Sequence, residues 1–98
     1  MSLLSPHSKI FSAVRNGHEE ILMRYIASGG DLNITDHDGW SLLMHAAVHG
    51  QTKMVQILLG YGASPDIADE QNNTAHAIAM KRGYTEIALW IQQASEAS

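Results

Sequence analysis

Gly17, Gly50 and Gly83 stand 33 residues apart, each in a matching neighbourhood. The segments Ala13–Ile21, Ala46–Met54 and Ala79–Ile87 each open on alanine, carry the glycine four residues on and close on an apolar residue four beyond it. Gly29 and Gly62 repeat the same spacing. A fixed period of this length marks a solenoid, in which each unit buries its apolar face only against its neighbours. Such a chain has no deep pocket from which to exclude water. It holds partners on a surface far more readily than it transforms them.

Each period reads as two short helices joined by a tight turn at the glycine. In the first unit, Ser8–Arg15 carries Ile10, Phe11, Ala13 and Val14, with Ser5 and Pro6 as cap and first-turn residues. Asn16-Gly17 ends it, because glycine tolerates the left-handed conformation of a helix stop. Glu19 to Ala27 follows, with Glu19 and Glu20 at the positive end of the helix dipole. In the second unit Ser41 caps a helix reaching Val48, and Thr52 caps one reaching about Gly60. In the third, Thr74 caps Ala75–Lys81, a helix runs from Thr85 to about Gln93, and the tail from Ala94 is frayed. The loops Asp31–Gly39 and Ser64–Asn73 are rich in turn-forming Asp, Asn, Gly and Pro. Asp38-Gly39 suits a hairpin turn, so each loop projects as a finger. The whole of 1–98 is one domain, with units of approximately 5–34, 35–67 and 68–95.

Charge and composition narrow the function. Ten acidic residues against six basic ones leave a net charge of −4, without the basic stripe of a nucleic-acid binder. There is no cysteine, which fits a reducing compartment. No apolar run is long enough to span a membrane, and Met1–His7 does not resemble a signal peptide. A cytoplasmic monomer is the expectation.

The residues now gathered resemble the ankyrin-repeat family from Ser8 to Gln93. Asp36–Ala47 resembles the pattern Asp-x-x-Gly-x-Thr-Pro-Leu-His-x-Ala-Ala, and Val55–Asp66 resembles Val-x-x-Leu-Leu-x-x-Gly-Ala-Asp-x-Asn. The family's Thr-Pro-Leu-His tetrad appears as Ser8–Phe11, Ser41–Met44 and Thr74–Ala77. No unit keeps its proline or its histidine, so the hydrogen bonds that this histidine makes in the family are not expected. Asn72 stands where the finger glycine belongs, as the next-best residue for positive φ. His76 replaces the core leucine of the third unit and is expected to be a buried neutral imidazole bonded to a loop carbonyl. The resemblance implies an all-α solenoid of three helix-turn-helix units with two projecting β-turn or hairpin fingers.

It also implies protein binding through finger tips and the exposed side of the first helices. Carried over by position, that surface comprises Thr35, His37, Asp38 and Trp40 from the first finger. Ala68, Glu70, Gln71 and Asn73 come from the second, and Arg15, Val48, His49, Lys81 and Arg82 from helix ends. Trp40 is either a contact anchor or a ring packed over its own loop, Leu42 or His76. Trp90 either covers the open end of the stack or marks a second contact surface. Tyr61 and Tyr84 lie at turns and read as packing residues with wet hydroxyls. Asp36, Asp38, Asp69 and Glu70 either suit a basic partner or serve turns and solubility.

Three further function classes would each leave their own residues in the chain. His45 and His49, four apart, share a helical face, yet a bare pair lacks the further ligands of a metal site, so no metal or other cofactor is expected and the two read as surface histidines or as a source of mild pH dependence in binding. A histidine-based metal or small-molecule binder stays a third reading. No nucleophile elbow, phosphate loop or paired carboxylates appear, so the chain is not expected to be an enzyme. The main alternative to an adaptor, regulatory subunit or immunity-type inhibitor is a structural solenoid that self-associates through its ends.

Overall fold

The computed structural model describes residues 7–97, so Ser5 and Pro6 lie outside the described residues. Six helices form: α1 (Ser8–Asn16), α2 (Glu19–Ala27), α3 (Leu42–Val48), α4 (Thr52–Gly60), α5 (Ala75–Arg82) and α6 (Thr85–Ala97). Consecutive helices pair as α1 with α2, α3 with α4 and α5 with α6. The pairs stack by α1 on α3, α3 on α5 and α4 on α6. The architecture is an all-α solenoid.

The turn chemistry repeats with the period. Gly17, Gly50 and Gly83 all take positive φ. The next N–H then reaches back to a helical carbonyl: His18 to Ala13, Gln51 to Ala46 and Tyr84 to Ala79, each at 2.9 Å. This is the hydrogen bond of a Schellman stop, which satisfies a carbonyl the helix end would otherwise orphan. The three accepting alanines are themselves at most 2% exposed, and their small side chains leave room for the neighbouring helices. One continuous core results, with Leu22, Leu43, Met44, Met54, Leu58 and Ile91 among its largest fully buried members. Each such side chain contributes about 1.5–3 kcal/mol of transfer free energy.

The helix starts divide into two kinds. Ser41 and Thr74 are extended caps whose hydroxyls accept the N–H of Met44 and Ala77 at 3.2 Å. Thr52 is no cap: the cap position is Gln51, and its side chain donates across the stack to the Arg15 carbonyl at 2.7 Å. The glycine turn already delivers the chain to the helix, and Thr52 falls one residue inside. α6 departs further from expectation. It continues through Ala97 where fraying was expected at Ala94. The Ser95 hydroxyl donates to Asp66 at 2.7 Å and ties this extra turn to the second finger.

The fingers contain no strand among the described residues. Each is closed by one isolated antiparallel bridge, Thr35 with Ser41 and Ala68 with Thr74. A carboxylate takes the place of a ladder. Asp36 Oδ1 accepts the N–H groups of Asp38 and Trp40 at 2.9 Å, and Asp69 Oδ1 accepts those of Gln71 and Asn73 at 2.9 and 2.8 Å. Asn72 does adopt positive φ, at 65°.

Candidate functional site

The two fingers meet at their tips. The Trp40 indole N–H donates to Asp69 Oδ2 at 2.9 Å, joining the first finger to the second. Asp38, Trp40, Asp69, Glu70 and Gln71 line one shallow cleft of about 240 Å³. Trp40 is half-buried and packs edge-on to the His45 ring at 5.3 Å. These contacts are packing within the fold. The ring lies on His45 and reaches Asp69, neither of which the sequence pattern suggested.

His37 and Asp38 stand out from the first finger with side chains 90% and 69% exposed, 3.6 Å apart. Thr35, Ala68, Glu70 and Gln71 are exposed as well. Asn73 is half-buried and its amide donates to Asp69 Oδ2 at 3.3 Å. His49, Lys81 and Arg82 are exposed at helix ends, whereas Arg15 and Val48 are half-buried. None of these five lines the cleft between the finger tips.

His45 is not the surface histidine that its helix position suggested. Its Nε2 lies 2.9 Å from Asp36 Oδ2. It is 9% exposed, and Phe11 meets its ring edge at 5.1 Å. The spacing could have shown it, because Asp36 is the carboxylate that closes the finger, and His45 lies one residue past the empty histidine position of the tetrad. Among the described residues no group of three or more His, Cys, Asp or Glu could hold a metal ion.

The carboxylates follow their surroundings. Burial opposes charge on Asp36, but the Trp40 N–H, the His45 ring and the Asp38 N–H outweigh it and hold the carboxyl below its usual range. Asp69 is held low chiefly by the Asn73 N–H, against some desolvation, with the Asn73 side chain, Gln71 and Trp40 assisting. Burial pulls the His45 imidazole below its ordinary value, although Asp36 pulls the other way; Arg15 and His49 add to the lowering.

His76 is half-buried, where full burial against a loop carbonyl was expected. It lines a cleft of about 320 Å³ with Pro65, Asp66, Thr74, Ile91, Gln92 and Ser95. Its counterpart one period earlier, Leu43, is 1% exposed under the third helix pair. Among the described residues no fourth pair covers His76. Trp90 is half-buried and packs against the core. A separate cleft of about 410 Å³, lined by His7, Lys9, Ile10, Ile21, Arg24, Tyr25 and Ser28, lies on the first helix pair and had no signal in the motif pattern. Among the described residues no helix is long and apolar enough to cross a membrane.

Known proteins share this architecture in sequence. The family model described as ankyrin repeats (3 copies) matches residues 10–97. A putative ankyrin repeat protein, YahD, of Escherichia coli (strain K12) is 37% identical over 82 residues, covering 78% of this chain and 41% of that protein. Ankyrin repeat family A protein 2 of Mus musculus is 41% identical over 55 residues, covering 56% of this chain and 18% of the relative. The mitochondrial disaggregase of Bos taurus is 35% identical over 69 residues, 67% of this chain and 10% of the relative. The chain thus spans less than half the length of these relatives. Ankyrin repeats are generally protein–protein interaction modules and typically not enzymes. With the 33-residue turns, the capped helix pairs and the carboxylate-closed fingers in place, the match over residues 10–97 makes the conclusion direct: this chain belongs to the ankyrin-repeat family.

Proposed function

We propose that this chain is a preformed protein-binding module that meets its partner with its finger tips and the neighbouring helix ends. One observation carries the reading. The finger backbones are tied internally by Asp36 and Asp69, while His37 and Asp38 at the tip keep side chains 90% and 69% exposed. A loop whose N–H groups are already satisfied loses little conformational freedom on association, which favours affinity. The contact set is Thr35, His37, Asp38, Glu70, His49, Lys81 and Arg82, with Trp40, Asn73, Arg15 and Val48 as the half-buried support beneath it. The domain is one body of three units, approximately 5–34, 35–67 and 68–95, acting as a cytoplasmic adaptor, regulatory subunit or inhibitor.

The test is affinity capture from the native host, comparing wild type with His37→Ala/Asp38→Ala/Glu70→Ala, whose exposed side chains leave the fold intact. A protein retained by wild type and lost by the variant supports the surface. Equal retention by both places the contact elsewhere.

A second reading has its own observation. Met80 is 54% exposed and Ala77 is exposed, although their counterparts one period earlier, Ala47 and Met44, are fully buried. An uncovered stacking face of this kind suits self-association. Light scattering at tens of micromolar, the range of weak homo-interfaces, separates the two: a monomer removes the second reading.

A further inference from the structure

We propose that His45 is a proton-sensitive latch: neutral, it holds the two fingers as one body; protonated, it releases them. The inference rests on the reading of the fingers as the binding surface and adds a means of regulating it.

The geometry comes first. A carboxylate only accepts, so the 2.9 Å contact with Asp36 Oδ2 assigns the proton of the neutral ring to Nε2. Nδ1 is then a bare lone pair, and it is buried with no hydrogen-bond partner among the described residues. Phe11 of α1 and Trp40 of the first finger close on the ring edge-on at 5.1 and 5.3 Å. Trp40 in turn donates to Asp69 of the second finger at 2.9 Å. The imidazole is therefore the piece on which α1, finger one and, through the indole, finger two converge.

Protonation puts an N–H on Nδ1, where no acceptor stands among the described residues. A buried charged donor without a partner is costly. Asp36 favours the charged ring from one side. Arg15 on α1 and His49 just past the end of α3 disfavour it, and Phe11 and Trp40 supply no counter-charge. Burial decides the balance against the charge. To satisfy Nδ1, a protonated ring must swing towards water, and in doing so it leaves the Trp40 edge. The device belongs to the middle unit alone: the counterparts of His45 one period away are Ser12 and Ile78, which carry no titrating proton.

The test needs no partner, so its failure is separate from failure of the binding surface. Nitrogen-15-labelled protein is titrated from about pH 8 to 5, the window in which histidines change charge. The His45 ring and the indole N–H signals of Trp40 and Trp90 are followed. The latch predicts that the Trp40 indole shifts with the midpoint of His45 and exchanges with solvent about tenfold faster at the acid end, with Trp90 unmoved. In His45→Phe the Trp40 signal is flat across the same range. Three results overturn the proposal: His45 fails to titrate in the window, His45 titrates while Trp40 stays still, or both indoles move together as in global unfolding. If His45→Phe does not fold, the matched or unmatched midpoints in the wild type decide alone.

Discussion

The Trp40 indole donates to Asp69 Oδ2 at 2.9 Å across 29 residues of sequence. Asp69 is also the carboxylate that closes the second finger on Gln71 and Asn73. One side chain therefore shapes its own finger and holds its neighbour. Trp40→Ala removes a half-buried ring from His45 and leaves the fingers untied, with an expected loss of about 2 kcal/mol in stability. Trp40→Phe keeps most of the ring contact and loses only the N–H, so its melting temperature falls less. Denaturant unfolding of both variants checks the order; equal losses would remove the hydrogen bond from the account.

Gly50 is held twice over. Its φ is +63°, and a Cβ built there meets the Tyr84 ring at 3.0 Å. Gly83 has φ of +79°, and a Cβ built there meets nothing within 4 Å beyond its chain neighbours among the described residues. Gly83→Ala thus carries conformational strain alone, about 1 kcal/mol, while Gly50→Ala carries strain and a clash and costs about 2 kcal/mol. Tyr84→Ala combined with Gly50→Ala returns part of the difference. Thermal unfolding of the set reads it directly.

Ser41 is 2% exposed and caps α3 through Met44, whereas Thr74 is only half-buried at the same point of α5. Ser41→Ala costs about 1–2 kcal/mol, because the freed N–H has no water to turn to. Thr74→Ala costs about 0.5–1 kcal/mol, since solvent replaces the cap. Urea midpoints of the two variants rank them.

Stability also depends on pH. The fold holds His45 neutral, so the unfolded chain takes up its proton first as pH falls below the ordinary imidazole value of 6.5. Stability is full above that pH and declines below it until the folded ring is itself protonated. Asp36 and Asp69 sit below the ordinary 3.8, and their share is present above that value and lost as pH falls through their lowered range. Urea unfolding at stepped pH shows two declines in the wild type and only the second in His45→Phe.

The last turn of α6 hangs on Ser95 and Asp66. Ser95→Ala accelerates hydrogen exchange at residues 94–97 while protection at Ile87 and Ile91, 3% and 1% exposed, is unchanged. Loss of protection along the whole helix would contradict this local role.

Much of the architecture was legible because it is local. A glycine that must take positive φ, an alanine four residues before it and a hydroxyl before an apolar run act over a few residues, so a 33-residue repeat shows them three times. Asn72 followed the same logic. The end of α6 was misread because the tie that orders it comes from Asp66, 29 residues away. Thr52 was misread because the turn geometry, not the hydroxyl, starts that helix.

The period, the helix pairs, the stops between them and the family are written in the linear chain, since each rests on backbone conformation and apolar spacing within a short window. What Trp40 and His45 touch came only with the packed fold. A tryptophan on a finger and a histidine on a helix are ambiguous in any linear reading. Only when stacking sets Phe11 against His45 and Asp69 beside Trp40 do the two become the hydrogen-bonded centre of the finger pair.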